Sequence, residues 1–180
     1  MTWRTHLAVG ANALWIAPLI APIDQSMLVL IPIAIVASLL PDIDASRTGA
    51  KIHYIGGGAF GMFRGLFSGK YFHHRGLMHS FFTTLVLFVL LTIFFGRRLP
   101  ALPAVFALSY FSHPLIDGFN TTVGYLYPFS RKRFALVPRS LYQKVDGTVD
   151  NLLFFLASLT FILFCALVVP QLFSIQQNPF

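Results

Sequence analysis

The chain has 180 residues, of which 56% are hydrophobic and only 11% charged, and its mean hydropathy is +0.72. Soluble domains carry about 25% charged residues, so the composition excludes an ordinary water-soluble globule and points to a membrane protein. Net charge is +7 and the single cysteine, Cys165, lies in an apolar run; disulfides and thiolate clusters are thereby excluded, and any bound metal must use His and Asp.

At this length one helical bundle over residues 1–180, a single integral-membrane domain, is the natural unit. Apolar runs cover 7–23, 26–40, 80–95, 99–116 and 152–173, which predicts an all-α, multi-spanning bundle of about five transmembrane helices. Only the last run clearly exceeds the roughly 20 residues that cross a bilayer core. The first run follows Arg4 and His6 and lacks a small-residue cleavage site, so it reads as a retained helix and not a removed signal. The second ends in "LLPDIDAS", where an extended turn would present Asp42 and Asp44 on the same side.

Between 51 and 71 the glycines at 57, 61, 65 and 69 and the phenylalanines at 60, 63 and 67 predict a helix lying along the membrane surface, with a plain glycine loop as the alternative. The third run opens with "HHRGLMHS". Its Gly76 permits a tight turn that would aim His74 and His79 inward. The fourth closes with "SHPLID", which sets His113 and Asp117 four residues apart on one helix face, while Pro114 suits a first turn or a kink. Asp150 opens the fifth.

Five spans put the N-terminus and the connections 41–79 and 117–151 on one side. Eleven of the thirteen cations lie there, against Arg97 and Arg98 opposite. The positive-inside rule makes that side cytoplasmic. The basic excess is then explained by topology and by contact with anionic lipid, and a direct nucleic-acid partner is disfavoured. All the candidate ligands fall on this same side. His6, Asp42, Asp44, His74, His79, His113, Asp117 and Asp150 stand at helix ends that chance would scatter over both faces.

Each of these residues has a plain alternative. His6 could anchor a helix at the interface, Asp42 and Asp44 could simply end a helix, and His113 with Asp117 could be a buried hydrogen-bonded couple. Such readings leave the one-sided clustering unexplained. Carboxylates with imidazoles suit Zn, Mn or Fe in a binuclear site.

The order His6, "LLPDID", "HHRGLMHS", "SHPLID" and "LYPFSRKRFAL" resembles the YdjM-like family of inner-membrane-associated, metal-dependent hydrolases, also labelled LexA-binding. The resemblance covers nearly the whole chain and implies a multi-spanning helical protein, a divalent metal and hydrolytic activity. Its implied ligands are His6, Asp42, Asp44, His74, His79, His113 and Asp117. The family usually has glutamate near Asp150, so the shorter acid here departs from the pattern. A weaker similarity to zinc-dependent phospholipases C would favour phosphoester chemistry.

The expected function is metal-dependent hydrolysis of a phosphoester in a lipid or amphiphile at the cytoplasmic leaflet of a bacterial inner membrane. Arg75 would neutralise the phosphoryl oxygens, Asp150 is the candidate general acid, and Arg131, Lys132, Arg133 and Arg139 would hold the head group. The alternative is a non-enzymatic regulator that binds a soluble, repressor-like partner through its basic loops.

Overall fold

The computed structural model of the protein describes residues 1–22, 24, 26–44 and 75–174. Among these, all regular structure is helical, and extended chain pairs only at one antiparallel bridge, Val123 with Phe134. The helices are α1 (Trp3–Ala11), α2 (Ala17–Ile20), α3 (Ser26–Ala37), α4 (Phe81–Phe95), α5 (Leu102–Asp117) and α6 (Thr148–Ser174). The interfacial helix expected over 51–71 lies outside the described residues.

The first apolar run does not form one helix from 7 to 23. Helix α1 begins earlier, at Trp3, and a 3-10 segment, Asn12–Ile16, separates it from α2. The interruption has local causes. Pro18 stands in the first turn of α2 and has no N–H to continue the α ladder. The Asn12 amide donates to the Ala8 carbonyl at 2.7 Å and to the Ala157 carbonyl of α6 at 2.8 Å. At the other end of the hairpin, Pro41 lies in a 3-10 helix, Leu40–Asp44, in place of the expected extended turn. Asp42 N–H therefore bonds the Leu39 carbonyl at 3.1 Å and leaves the Ser38 carbonyl for another partner.

Helices α1, α3 and α5 meet through small residues, the device that lets backbones approach closely in membrane proteins. At Gly10 a Cβ would overlap Ser38 Cβ and stand 2.8 Å from Ser109 Oγ. Two hydrogen bonds cross this seam one turn apart. The Ser109 hydroxyl donates to the Ala34 carbonyl, and His113 Nδ1 meets the Ser38 carbonyl at 2.7 Å. The apolar core lies farther along, with Leu14 from the 3-10 segment, Met27 and Leu30 from α3, Val105 from α5 and Phe164 from α6. Polar and apolar layers are thus segregated along the bundle axis.

Helix α4 docks on α5 through a Phe81–Phe111 stack with centroids 4.5 Å apart. Ser80 caps α4 by accepting from Thr83 N–H at 3.2 Å. The arm 118–147 folds back over the polar end: Leu136 N–H bonds the Gly118 carbonyl at 2.9 Å, and Phe81 N–H bonds the Tyr125 carbonyl at 2.9 Å. Helix α6 is about 40 Å long at 1.5 Å per residue, and Phe155, Ile162 and Leu167 on it are exposed. Among the described residues it provides the one segment long and apolar enough to cross a bilayer, Thr148–Phe173, while α3 and α4 are shorter apolar helices.

Candidate metal centre

His6 is on α1, Asp42 in the turn after α3, His79 in the 3-10 turn Leu77–His79 before α4, and His113 and Asp117 at the end of α5. Residues 107 positions apart in sequence come together here. His6 and His113 stack at 3.8 Å, and His79 stands edge-on to His113 at 5.2 Å. His113 Nε2 is 3.3 Å from Asp42 Oδ1 and His79 Nε2 is 3.8 Å from the same oxygen. Asp117 turns Oδ1 toward His6 Nε2 at 3.4 Å and Oδ2 toward His79 Nε2 at 3.9 Å. All three histidines and Asp117 are buried.

Two sets of three donors, His6 with His113 and Asp117, and Asp42 with His79 and His113, each have ligand atoms within 4.8 Å of one another. The donors are imidazoles and carboxylates, the chemistry of Zn, Mn or Fe sites. His113 is oriented for ligation: a carbonyl can only accept, so Nδ1–H donates to Ser38 and the neutral ring turns its lone pair at Nε2 into the cluster. That nitrogen and His6 Nδ1 are buried without a hydrogen bond. Leaving such an atom unsatisfied costs about 1–3 kcal/mol, and coordination would satisfy His113 Nε2. The residues therefore fit a divalent ion.

Burial alone would raise the Asp42 carboxyl, but the His113 ring beside it, by charge and hydrogen bonding, and then His79 outweigh this and hold Asp42 below the usual carboxylate range; a bound cation would take over that role from the ring protons. Asp42 is an anion ready to bind a cation. Tyr125, whose hydroxyl donates to the Pro114 carbonyl at 2.9 Å, is pushed up to about 12 by burial and then by the Asp117 charge.

Arg75 Nε donates to Asp117 Oδ2 at 2.9 Å, and the side chain remains 34% exposed. Its φ of 63° makes Arg75, and not Gly76, the left-handed residue of the turn. A non-glycine residue held there costs about 1–2 kcal/mol, and such strain clusters at functional sites. The Arg75 carbonyl accepts from Gly124 N–H at 3.0 Å, which ties the turn to the arm.

Asp150 stands apart from this cluster. Its Oδ2 accepts from Thr2 N–H and Asp146 N–H, both at 2.8 Å, and its Oδ1 from the Thr5 hydroxyl at 2.5 Å. Arg131, Lys132, Arg133 and Arg139 are exposed on the arm. The Asp44 side chain and His74 lie outside the described residues. Pro114 sits within the last turn of α5, not in a first turn. Sequence reasoning missed Ser38, Tyr125, Thr2 and Thr5; Ser38 and Thr5 are rare polar residues in or beside apolar runs, and that rarity was the available signal.

Residues 1–173 match the model of the YdjM inner membrane protein family, and the chain belongs to that family. Comparisons with curated proteins and with solved structures each found no match.

Proposed function

We propose that this member of the YdjM inner membrane protein family is a multi-pass, metal-dependent hydrolase that cleaves a phosphoester of a lipid or amphiphile at the cytoplasmic face. One observation carries the reading: His6, Asp42, His79, His113 and Asp117 converge in one cluster, all buried but the half-buried Asp42, with an arginine hydrogen-bonded to it. The excess of eleven cations to two on the cluster's side supports a cytoplasmic N-terminus.

Asp42, His79 and His113 would hold one ion, and His6 with Asp117, whose two oxygens face different histidines, would hold a second. A divalent ion so bound supplies a lowered pKa for water and polarises the phosphoryl group. The protein's own groups do the rest. The Ser38 carbonyl fixes the His113 tautomer. Arg75, anchored through Nε on Asp117, turns its remaining guanidinium N–H groups to the non-bridging oxygens. Arg131, Lys132, Arg133 and Arg139 attract an anionic head group. We read Asp150 as a structural tie, because its oxygens are occupied by Thr2, Thr5 and Asp146.

Elemental analysis of the purified protein and of His79→Ala, His113→Ala, Asp42→Ala and Asp117→Ala, beside a lipid-phosphate hydrolysis panel, tests this. The expected result is Zn, Mn or Fe in the wild type, its loss in each variant with little additivity, and metal-dependent phosphate release. A wild type free of metal, or a quadruple variant that keeps it, overturns the assignment. The exposure of the basic arm favours the second reading, a regulator that binds a soluble partner there; it predicts partner binding that survives all four ligand substitutions.

A further inference from the structure

Between α4, α5 and the arm lies an apolar cleft of about 720 Å³. Phe81, Leu85 and Phe88 line it from α4 at helical spacing, Leu108 and Phe111 from α5, and Tyr125 from the arm. From Phe81 to Phe88 the wall runs about 10 Å along the helix axis. Its apolar side chains are outward-facing, with Leu85, Leu108 and Phe129 among the exposed ones. In a membrane protein such a surface meets hydrocarbon.

Two features single this cleft out from the general lipid-facing surface. One is its shared wall with the metal centre. Phe81 follows His79 by two residues and bonds the Tyr125 carbonyl, the Tyr125 hydroxyl reaches Pro114 beside His113, and Gly124 bonds the backbone of Arg75. The other is charge. Phe129, 83% exposed, lines the cleft and is followed after one residue by the exposed cations Arg131, Lys132 and Arg133, which complement an anionic head group. The smaller apolar pocket beside Trp3 and Phe154 shares no lining residue with this cleft.

We infer that the cleft between α4 and α5 seats an acyl chain of an anionic phospholipid, with the head group at the Arg131–Arg133 edge and the phosphate toward Arg75. The direction of the lipid rests on the hydrolase reading; the seat itself does not. A chain held there positions a phosphoester at the shared wall, so remote apolar binding energy is used to orient the reacting group.

The test uses the full-length protein in phosphatidylcholine nanodiscs doped with phosphatidic acid that carries a diazirine in mid-chain. After irradiation, label is mapped by peptide mass spectrometry. Label should concentrate on α4 and the Ala107–Phe129 stretch, and Ala107→Trp or Leu85→Trp, which fill the cleft, should each reduce it roughly tenfold. Thermal melts of both variants identify any that fail to fold, and the other then decides.

Replacing Arg131, Lys132 and Arg133 with glutamine should remove the preference for this probe over an uncharged diacylglycerol analogue. Equal labelling of the α6 surface around Ile162, or labelling unchanged in both filling variants, overturns the acyl seat. An unchanged preference in the triple variant overturns the head-group placement. If the cleft is labelled but the wild type neither holds metal nor releases phosphate, the hydrolase reading fails and the acyl seat stands.

Discussion

Gly10→Ala separates close helix packing from helix propensity, because the two effects have opposite signs here. In an exposed helix, replacing glycine by alanine stabilises by about 0.8–1.0 kcal/mol. At Gly10 the added methyl would overlap Ser38 Cβ and come within 2.8 Å of Ser109 Oγ. Carbon atoms pack at about 3.5–4.0 Å, so α1 and α3 must part by roughly 1 Å. Overpacking of this kind costs about 1–3 kcal/mol, and neither Ser38 Cβ nor the bonded Ser109 hydroxyl can move aside cheaply. The packing term exceeds the propensity gain, leaving a net loss of up to about 2 kcal/mol.

The displacement also reaches the cluster. The His113–Ser38 bond lies one turn along the seam, so metal affinity should fall although no ligand has changed. Melting curves and metal content, measured on the same samples, check both effects. Ser38→Gly removes the overlapping Cβ and should restore part of each, with a coupling energy of about 0.5–3 kcal/mol between the two positions. A Gly10→Ala protein more stable than the wild type, with unchanged metal content, would refute the close approach of α1 and α3.

Arg75→Lys should retain metal and fold yet lose one to two orders of magnitude in hydrolysis, since an ammonium cannot reproduce the guanidinium fork and a charged hydrogen bond contributes about 1.5–3 kcal/mol; full activity on a phospholipid panel would remove Arg75 from the site. Tyr125 gives a spectroscopic handle on Asp117. Its folded pKa of about 12 lies above the unfolded value of about 10, so its contribution to stability is present below pH 10 and lost as the pH rises toward 12. The phenolate difference spectrum between wild type and Tyr125→Phe should show this late titration, shifted part of the way down by Asp117→Asn or by loaded metal, and a midpoint unchanged in Asp117→Asn would break the link to Asp117. Asp150→Ala should lower stability by about 1–3 kcal/mol by orphaning the Thr2, Thr5 and Asp146 donors while metal content persists; metal loss in a still-folded variant would return Asp150 to the site. Reporter fusions should find the N-terminus cytoplasmic and the C-terminus outside, and a cytoplasmic C-terminus would undo the five-span topology.

Hydropathy determines the helices here because a long apolar segment in lipid has to satisfy its own backbone hydrogen bonds. Runs 80–95, 99–116 and 152–173 accordingly appear as α4, α5 and α6 within a few residues at each end. The position of the cluster was legible for a related reason: polar residues are expelled from apolar runs to their ends, and His6, Asp42, His79, His113 and Asp117 all stand at or beside such ends. Which of them touch is a tertiary matter. Stacking of His6 on His113 depends on how closely α1 approaches α5 at Gly10, a contact between residues 99 positions apart that no local pattern encodes. Asp150 has the same sequence signature as Asp42, an acid at a helix end, yet it is bound by Thr2, Thr5 and Asp146 because α6 packs its first turn against the start of α1. Residue type and helix phase follow from the chain alone, whereas the partner of each buried charge is decided by which backbones can come close enough to leave it no water.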